Sequence, residues 1–337
     1  MSDHDSFSQV TSSGNTNAPP RDFLVMPLDP SFYKLEKDEA TFFKQATGIL
    51  DDEELKQHIL RVQAEAYEVY PYPCIRRFGF TLLKISRFPS YEDLLKLGKE
   101  RDAILLDIGC CFGNGVRKAI ADGYPSKNVI TSDIESGEDA EMTGGVSRLM
   151  RPSVLAARTS SVLDYPESFI VPFIAGDAFD PAFCRTYPPI YTPLDTPPPA
   201  LSEVKMLTEL RGHISVIHAS ALFHLFDEER QLALAHALAG LLAPHPGAMI
   251  FGTHSGAAEK STQVHSPQGS GGKQITVFCH SPESWTKLWE SVFEPGKVKV
   301  DARLEDITPS SPDGKEPERR WYLLSCGALR RRVSAQH

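Results

Sequence analysis

The sequence runs to 337 residues, 41% hydrophobic and 23% charged, with a net charge of -9. That acidity excludes nucleic acid as a partner, because phosphate contacts need clustered Lys and Arg; the one dense basic run, Arg330-Arg331-Arg332, reads as a solvated tail. No apolar run approaches the ~18 residues of a membrane span, and Met1 to Pro20 lacks the apolar core of a signal peptide. Six cysteines without a Cys-x-x-Cys pair read as reduced thiols, so a cytoplasmic protein without membrane contact is expected.

In chain order, residues 1–28 read as a disordered polar tail closing near Pro19-Pro20. Residues 29–100 read as a helical cap. Leu35, Ala40, Phe43 and Ala46 fall near helical spacing, with Gly48 as the stop. The acids Asp51 to Glu54 open a second helix whose apolar face is Ile59, Val62, Ala66 and Val69, ended by Pro71 and Pro73. Residues 101–337 form the core domain. Ala103 to Asp107 is a short apolar strand running into the Gly-rich turn Gly109 to Gly115, then a helix through Val116 and Ile120. Val129 to Asp133 is a second strand and Ser168 to Ile174 a third, leading into Gly176-Asp177-Ala178-Phe179. Strands alternating with helices at this spacing point to a parallel, doubly wound α/β sheet. The stretch 181–212, with seven prolines between 181 and 200, reads as a surface insertion. Ile214 to His218 and Ala248 to Gly252 are further strands, with an amphipathic helix from Asp227 to Leu242 between them. A Gly/Ser-rich stretch, Ser266 to Lys273, reads as mobile. A helix from Ser281 carries Trp285 and Trp289 as core, and two last strands, 297–304 and 320–328, follow.

The acids at strand ends and the glycine turn carry the chemistry. Glycine lets the backbone approach a ligand closely, and Gly109, Gly113 and Gly115 supply that beside Cys110. Asp107 is placed for the polar tail of a nucleoside ligand, Asp133 with Ile134 for the ribose hydroxyls, and Asp177 with Ala178 for the adenine amino group. Phe179 is a candidate for the ring face and Tyr33 for the amino-acid end of the ligand, with Ala219 a further ligand-site candidate.

Leu106-Asp107-Ile108-Gly109 through Gly115, Asp133, Gly176-Asp177-Ala178, and Ile217-His218-Ala219-Ser220 with Phe223-His224-Leu225-Phe226 together resemble class I S-adenosylmethionine-dependent methyltransferases. In particular they resemble the fungal secondary-metabolite enzymes that methylate polyketide and meroterpenoid intermediates. The likeness runs from Tyr33-Lys34-Leu35 to the last strand and takes in Leu207 to His213 and His280 to Trp285. It departs from the wider class at Cys111, where a glycine is usual. The resemblance implies a Rossmann-like methyltransferase sheet with a reversed C-terminal strand, S-adenosyl-L-methionine as cofactor, and O-methylation of a carboxyl or enol/phenol oxygen.

Methyl transfer needs alignment more than acid–base work, but a phenol or enol benefits from a base. His224 is the candidate base, His218 reads as structural, and His254 has a weaker claim on substrate. Tyr67, Tyr70 and Tyr72 are candidates for an apolar pocket wall. No cluster has metal-ligand spacing. The expected partner is a small molecule, with a homodimer as the assembly considered. The rival readings are a methyltransferase-fold scaffold without catalysis and a small-molecule N-methyltransferase.

Overall fold

The computed structural model describes residues 25–69, 71–134, 171–265, 274–308 and 320–331. The expected disorder of residues 1–24 and mobility of 266–273 lie outside these residues, as do Tyr70 and the start of the third strand. No described helix is long and apolar enough to cross a membrane.

Four short apolar segments become parallel strands because both their faces are covered. They are β1 (Ile104–Ile108), β2 (Val129–Asp133), β3 (Phe173–Ala175) and β4 (Ile214–His218), joined by the longer β5 (Met249–Gly256). Alternation then sorts their side chains between two layers. Leu106, Ile130, Ile217 and Ile250 face one cluster with α6 (Glu228–Leu241) and α7 (Pro282–Val292). Leu105, Val129, Val216 and Phe251 face the other, with α4 (Tyr91–Arg101) and α5 (Asn114–Ala121). Trp285 and Trp289 are core, as their i, i+4 spacing indicates.

The strand order is β3-β2-β1-β4-β5-β9-β8, with β9 (Tyr322–Arg330) and β8 (Val298–Asp306). β9 runs antiparallel between β5 and β8. The chain winds outward from β1 one way to β3 and the other way through β4, so β1 and β4 flank the switch point where ligands bind in such sheets. A separate hairpin, β6 (Ser261–His265) with β7 (Ile275–Cys279), follows β5; it is absent from the sequence reading.

The N-terminal helices α1 (Lys37–Thr47), α2 (Asp52–Val69) and α3 (Pro73–Arg76) form a third cluster. Gly48 takes the left-handed conformation that ends α1, and Asp51 Oδ1 accepts from Glu53 N and Glu54 N at 3.0 and 2.9 Å to start α2. α4, assigned to the cap by sequence, packs on the sheet instead.

Three expectations need correction. Residues 25–28 are tied down: Met26 N donates to the Tyr67 hydroxyl at 3.1 Å and Arg76 Nε to the Pro27 carbonyl at 2.8 Å. The proline-rich stretch is no surface appendage, since Phe183, Cys184, Leu201, Val204, Leu207 and Leu210 are buried in the main core. Proline keeps that segment out of helix and sheet but does not keep its apolar side chains out of the core. Arg330 is not a solvated tail; it is 3% exposed, its guanidinium over the rings of Phe293 and Tyr191 at 4.6 and 5.0 Å.

Candidate active site

The turn after β1 is held in a conformation that side chains usually avoid. Gly109 and Gly113 have φ of 67°, and Cys111 has φ of 50°. Cys111 thus occupies a left-handed position that favours glycine, at a cost of about 1 kcal/mol. Two contacts hold it there. Its amide donates to Asp133 Oδ2 at 3.0 Å, and its side chain packs against the cap cluster, in which its neighbour Phe112 is buried. The position that departs from the family pattern is therefore the one where the cap grips the turn.

Asp133 closes β2 with both oxygens occupied by backbone: Oδ2 by Cys111 N and Oδ1 by Ile134 N at 2.8 Å. Gly109 N and Cys110 N reach the Ser132 carbonyl at 2.9 and 3.3 Å, which ties the turn to β2. Beyond β3, Asp177 Oδ1 accepts from Phe179 N at 2.9 Å, and Phe179 meets Phe226 edge-on at 4.8 Å, with Ala178 packed alongside. Gly176 is dictated by packing, because a Cβ there would stand 2.3 Å from the Phe183 ring.

β1 and β4 bring Asp107 and His218 into direct register. His218 Nδ1 lies 2.8 Å from Asp107 Oδ1, and Ser220 Oγ 2.8 Å from His218 Nε2. Ser220 in turn accepts from Thr253 N at 3.2 Å. His218 thus bridges β1 and β4 through its side chain, and Ser220, which the sequence reading did not single out, continues that chain to β5. Ala219 is buried, its amide bonded to the Phe251 carbonyl at 2.9 Å, and Ala221 beyond it has φ of 56°. Left-handed residues thus mark both sides of the switch point.

The candidate substrate residues divide. Tyr67 is 8% exposed, a core residue of the cap rather than a pocket wall. Its spacing could have shown this, since Ile59, Gln63 and Tyr67 repeat every four residues and all three are buried. Tyr72 and Tyr33 are partly buried against the same cluster, Tyr33 edge-on to Phe78 at 5.6 Å. His254 is 3% exposed, between Phe223 at 5.1 Å and Trp285 at 5.2 Å. His224 keeps an exposed edge and lies 6.3 Å from His254. Ser255 N donates to His224 Nδ1 at 3.4 Å, which leaves the neutral ring protonated on Nε2. In that tautomer Nε2 is a donor.

Burial pushes His224 and His280 down to about 4, and His254 well below its ordinary value. Each binds a proton more readily unfolded than folded, so the unfolded state gains protons first as pH falls. Stability should be complete above pH ~6.5 and fall as pH drops toward ~4. Thermal melts across that range test this: His224→Gln should flatten the acid limb, and an unchanged slope would show that the ring titrates freely.

No group of described residues has the makings of a metal site. The seven-stranded, mostly parallel sheet with β9 reversed beside β5 is a Rossmann-like α/β methyltransferase fold. Residues 29–81 match the meroterpenoid methyltransferase N-terminal domain. O-methyltransferase phiE of a fungal species is 29% identical over 272 residues, which cover 78% of this chain and 75% of that protein. Methyltransferase adrK of Penicillium roqueforti is 28% identical over 304 residues, 88% of this chain and 90% of that protein. A solved N1-methyltransferase of Burkholderia thailandensis, bound to 1,6-didemethyltoxoflavin and S-adenosylhomocysteine, aligns over 84% of this chain and 92% of its own at a TM-score of 0.41 and 12% identity. The chain is a methyltransferase enzyme whose relatives are the O-methyltransferases of fungal secondary metabolism.

Proposed function

We propose that this enzyme transfers a methyl group from S-adenosylmethionine to a carboxylate oxygen of an apolar, terpenoid- or polyketide-derived metabolite. The observation that carries the reading is the left-handed turn Gly109 to Gly113, pinned to Asp133 on one side and to the cap on the other. The residues fit the cofactor. Asp133 stands at the end of β2, where a carboxylate would meet the ribose hydroxyls, Asp177 keeps one oxygen clear of its own turn for the adenine amino group, and Phe179 offers a ring face. Ile134, Ala178 and Cys110 flank these positions. Asp107 is a nearly buried carboxylate whose Oδ2 has no partner among the described residues, a fit for a cationic amino-acid tail.

S-adenosylmethionine supplies a methyl group already activated on a sulfonium, so the protein's task is to align the acceptor and exclude water. His224, His254, Phe223 and Trp285 pack together beside the β4 and β5 ends, and ring burial holds the histidines' proton affinity down, so they are neutral at pH 7. A neutral His224 that donates through Nε2 would orient a carboxylate rather than deprotonate a phenol. A carboxylate, with a reference pKa near 4, needs no base. The test is product chemistry. Incubation with methyl-labelled S-adenosylmethionine and matched terpenoid acids and phenols should label the acids, as esters released by alkali. Label confined to alkali-stable ethers would overturn the carboxylate reading.

Asp133→Ala should weaken S-adenosylhomocysteine binding by about 1.5–3 kcal/mol, the worth of hydrogen bonds to a charged group. Calorimetry on the folded variant checks this, and unchanged affinity would remove Asp133 from the cofactor site.

A further inference from the structure

We propose that His218 and Ser220 are positioning residues which hold Asp107 in place for the cofactor's ammonium group, through one directed hydrogen-bond chain. The inference rests on the reading of the cofactor site given above.

The direction of the chain follows from donor and acceptor capacity. Thr253 N–H can only donate, and it reaches Ser220 Oγ at 3.2 Å. Asp107 as a carboxylate can only accept, and Oδ1 lies 2.8 Å from His218 Nδ1. The proton on Nδ1 therefore points at Asp107, and in the neutral ring Nε2 is an acceptor. Ser220 must then donate its hydroxyl proton to Nε2 across 2.8 Å. With the ring neutral, the links run in one direction from the β5 backbone to the β1 carboxylate.

Asp107 and His218 are 3% and 5% exposed, so the chain lies in a low-dielectric setting where a misplaced charge is costly. One carboxylate oxygen is committed to His218. The other, Oδ2, has no partner among the described residues, and Gly115 stands over it: a Cβ there would lie 3.5 Å from Oδ2 and 3.5 Å from His218 Cε1. A nearly buried carboxylate with one satisfied and one open oxygen is suited to a cation that brings its own donors. An ammonium group meets that requirement. Without His218 the carboxylate could rotate or take up water, and the open oxygen would lose its fixed aim. Ser220 acts a step further away, by setting the tautomer and plane of the ring.

Calorimetric titration with S-adenosylhomocysteine tests this on the full-length enzyme and its variants. His218→Leu should weaken binding by about tenfold or more, and Ser220→Ala by about three- to tenfold, within the range for hydrogen bonds linked to a charged group. His218→Asn, whose amide can replace the Nδ1 donor, should recover most of the His218→Leu loss. In an Asp107→Asn background, Ser220→Ala should change affinity no further, because the residue it acts through no longer carries the charge. The proposal is overturned if Ser220→Ala binds as tightly as the parent, if its loss persists undiminished in the Asp107→Asn background, or if His218→Asn is as weak as His218→Leu. Failure of the unsubstituted enzyme to bind S-adenosylhomocysteine would instead overturn the cofactor reading itself.

Discussion

Gly252→Ala should be among the most damaging single-methyl changes in the molecule. A Cβ at this point of β5 would stand 1.9 Å from the Ala219 carbonyl oxygen and 2.6 Å from its carbon. Both are backbone atoms at the end of β4, so no rotamer change relieves the clash. β4 must move away from β5, and with it Ala219, Ser220 and the register that sets His218 against Asp107. The expected loss is about 3 kcal/mol or more, the upper end for overpacking. In thermal melts that corresponds to a drop of about 6–12 °C at 2–4 °C per kcal/mol. A midpoint equal to the parent's would show that the β4 end can retreat freely.

The second large effect is expected from truncation. A protein beginning at Val25 should keep cofactor binding and methyl transfer, because it retains the contacts of Met26 and Pro27. One beginning at Asp102 should lose both. That cut strips Phe112 and Cys111 of their cluster and removes the Phe80 carbonyl that accepts from Asn114 Nδ2 at 2.7 Å. It also removes α4 and uncovers Leu105, Val129, Val216, Met249 and Phe251. At about 1.5–3 kcal/mol for each side chain, this alone is comparable with the whole stability of a domain. Circular dichroism and S-adenosylhomocysteine titration on the two proteins would decide the point. A folded, binding-competent product from the longer deletion would show that the sheet stands without its cap.

What the sequence makes legible is whatever local periodicity and strand-end chemistry dictate. β1 with Asp107, the turn through Gly113, β2 with Asp133, and the proline stop after α2 all sit where spacing places them. What it hides depends on neighbours far along the chain. His218 reads as an ordinary strand histidine until β4 lies beside β1, and its partner Asp107 is 111 residues away. Arg330 looks like the start of a basic tail until Tyr191 and Phe293 close on it. Tyr67 is a different failure: the helical repeat that buries it is plain, but an aromatic cluster near two prolines invites a pocket reading. His224 could be placed after β4 from sequence, whereas its hydrogen-bond partner could not, because the Ser255 amide belongs to β5, 31 residues on.

The position of β9 has a consequence for biosynthesis. β9 follows every other described strand in the sequence, yet it lies inside the sheet, with β5 on one side and β8 on the other. While the ribosome is still making residues beyond β8, the nucleotide-binding half of the sheet can assemble, but the edge of β5 has no partner. An unpaired, apolar strand edge is what promotes association between nascent chains. The sheet is sealed only once β9 has been made, and the interval before that step is when the chain most depends on chaperones.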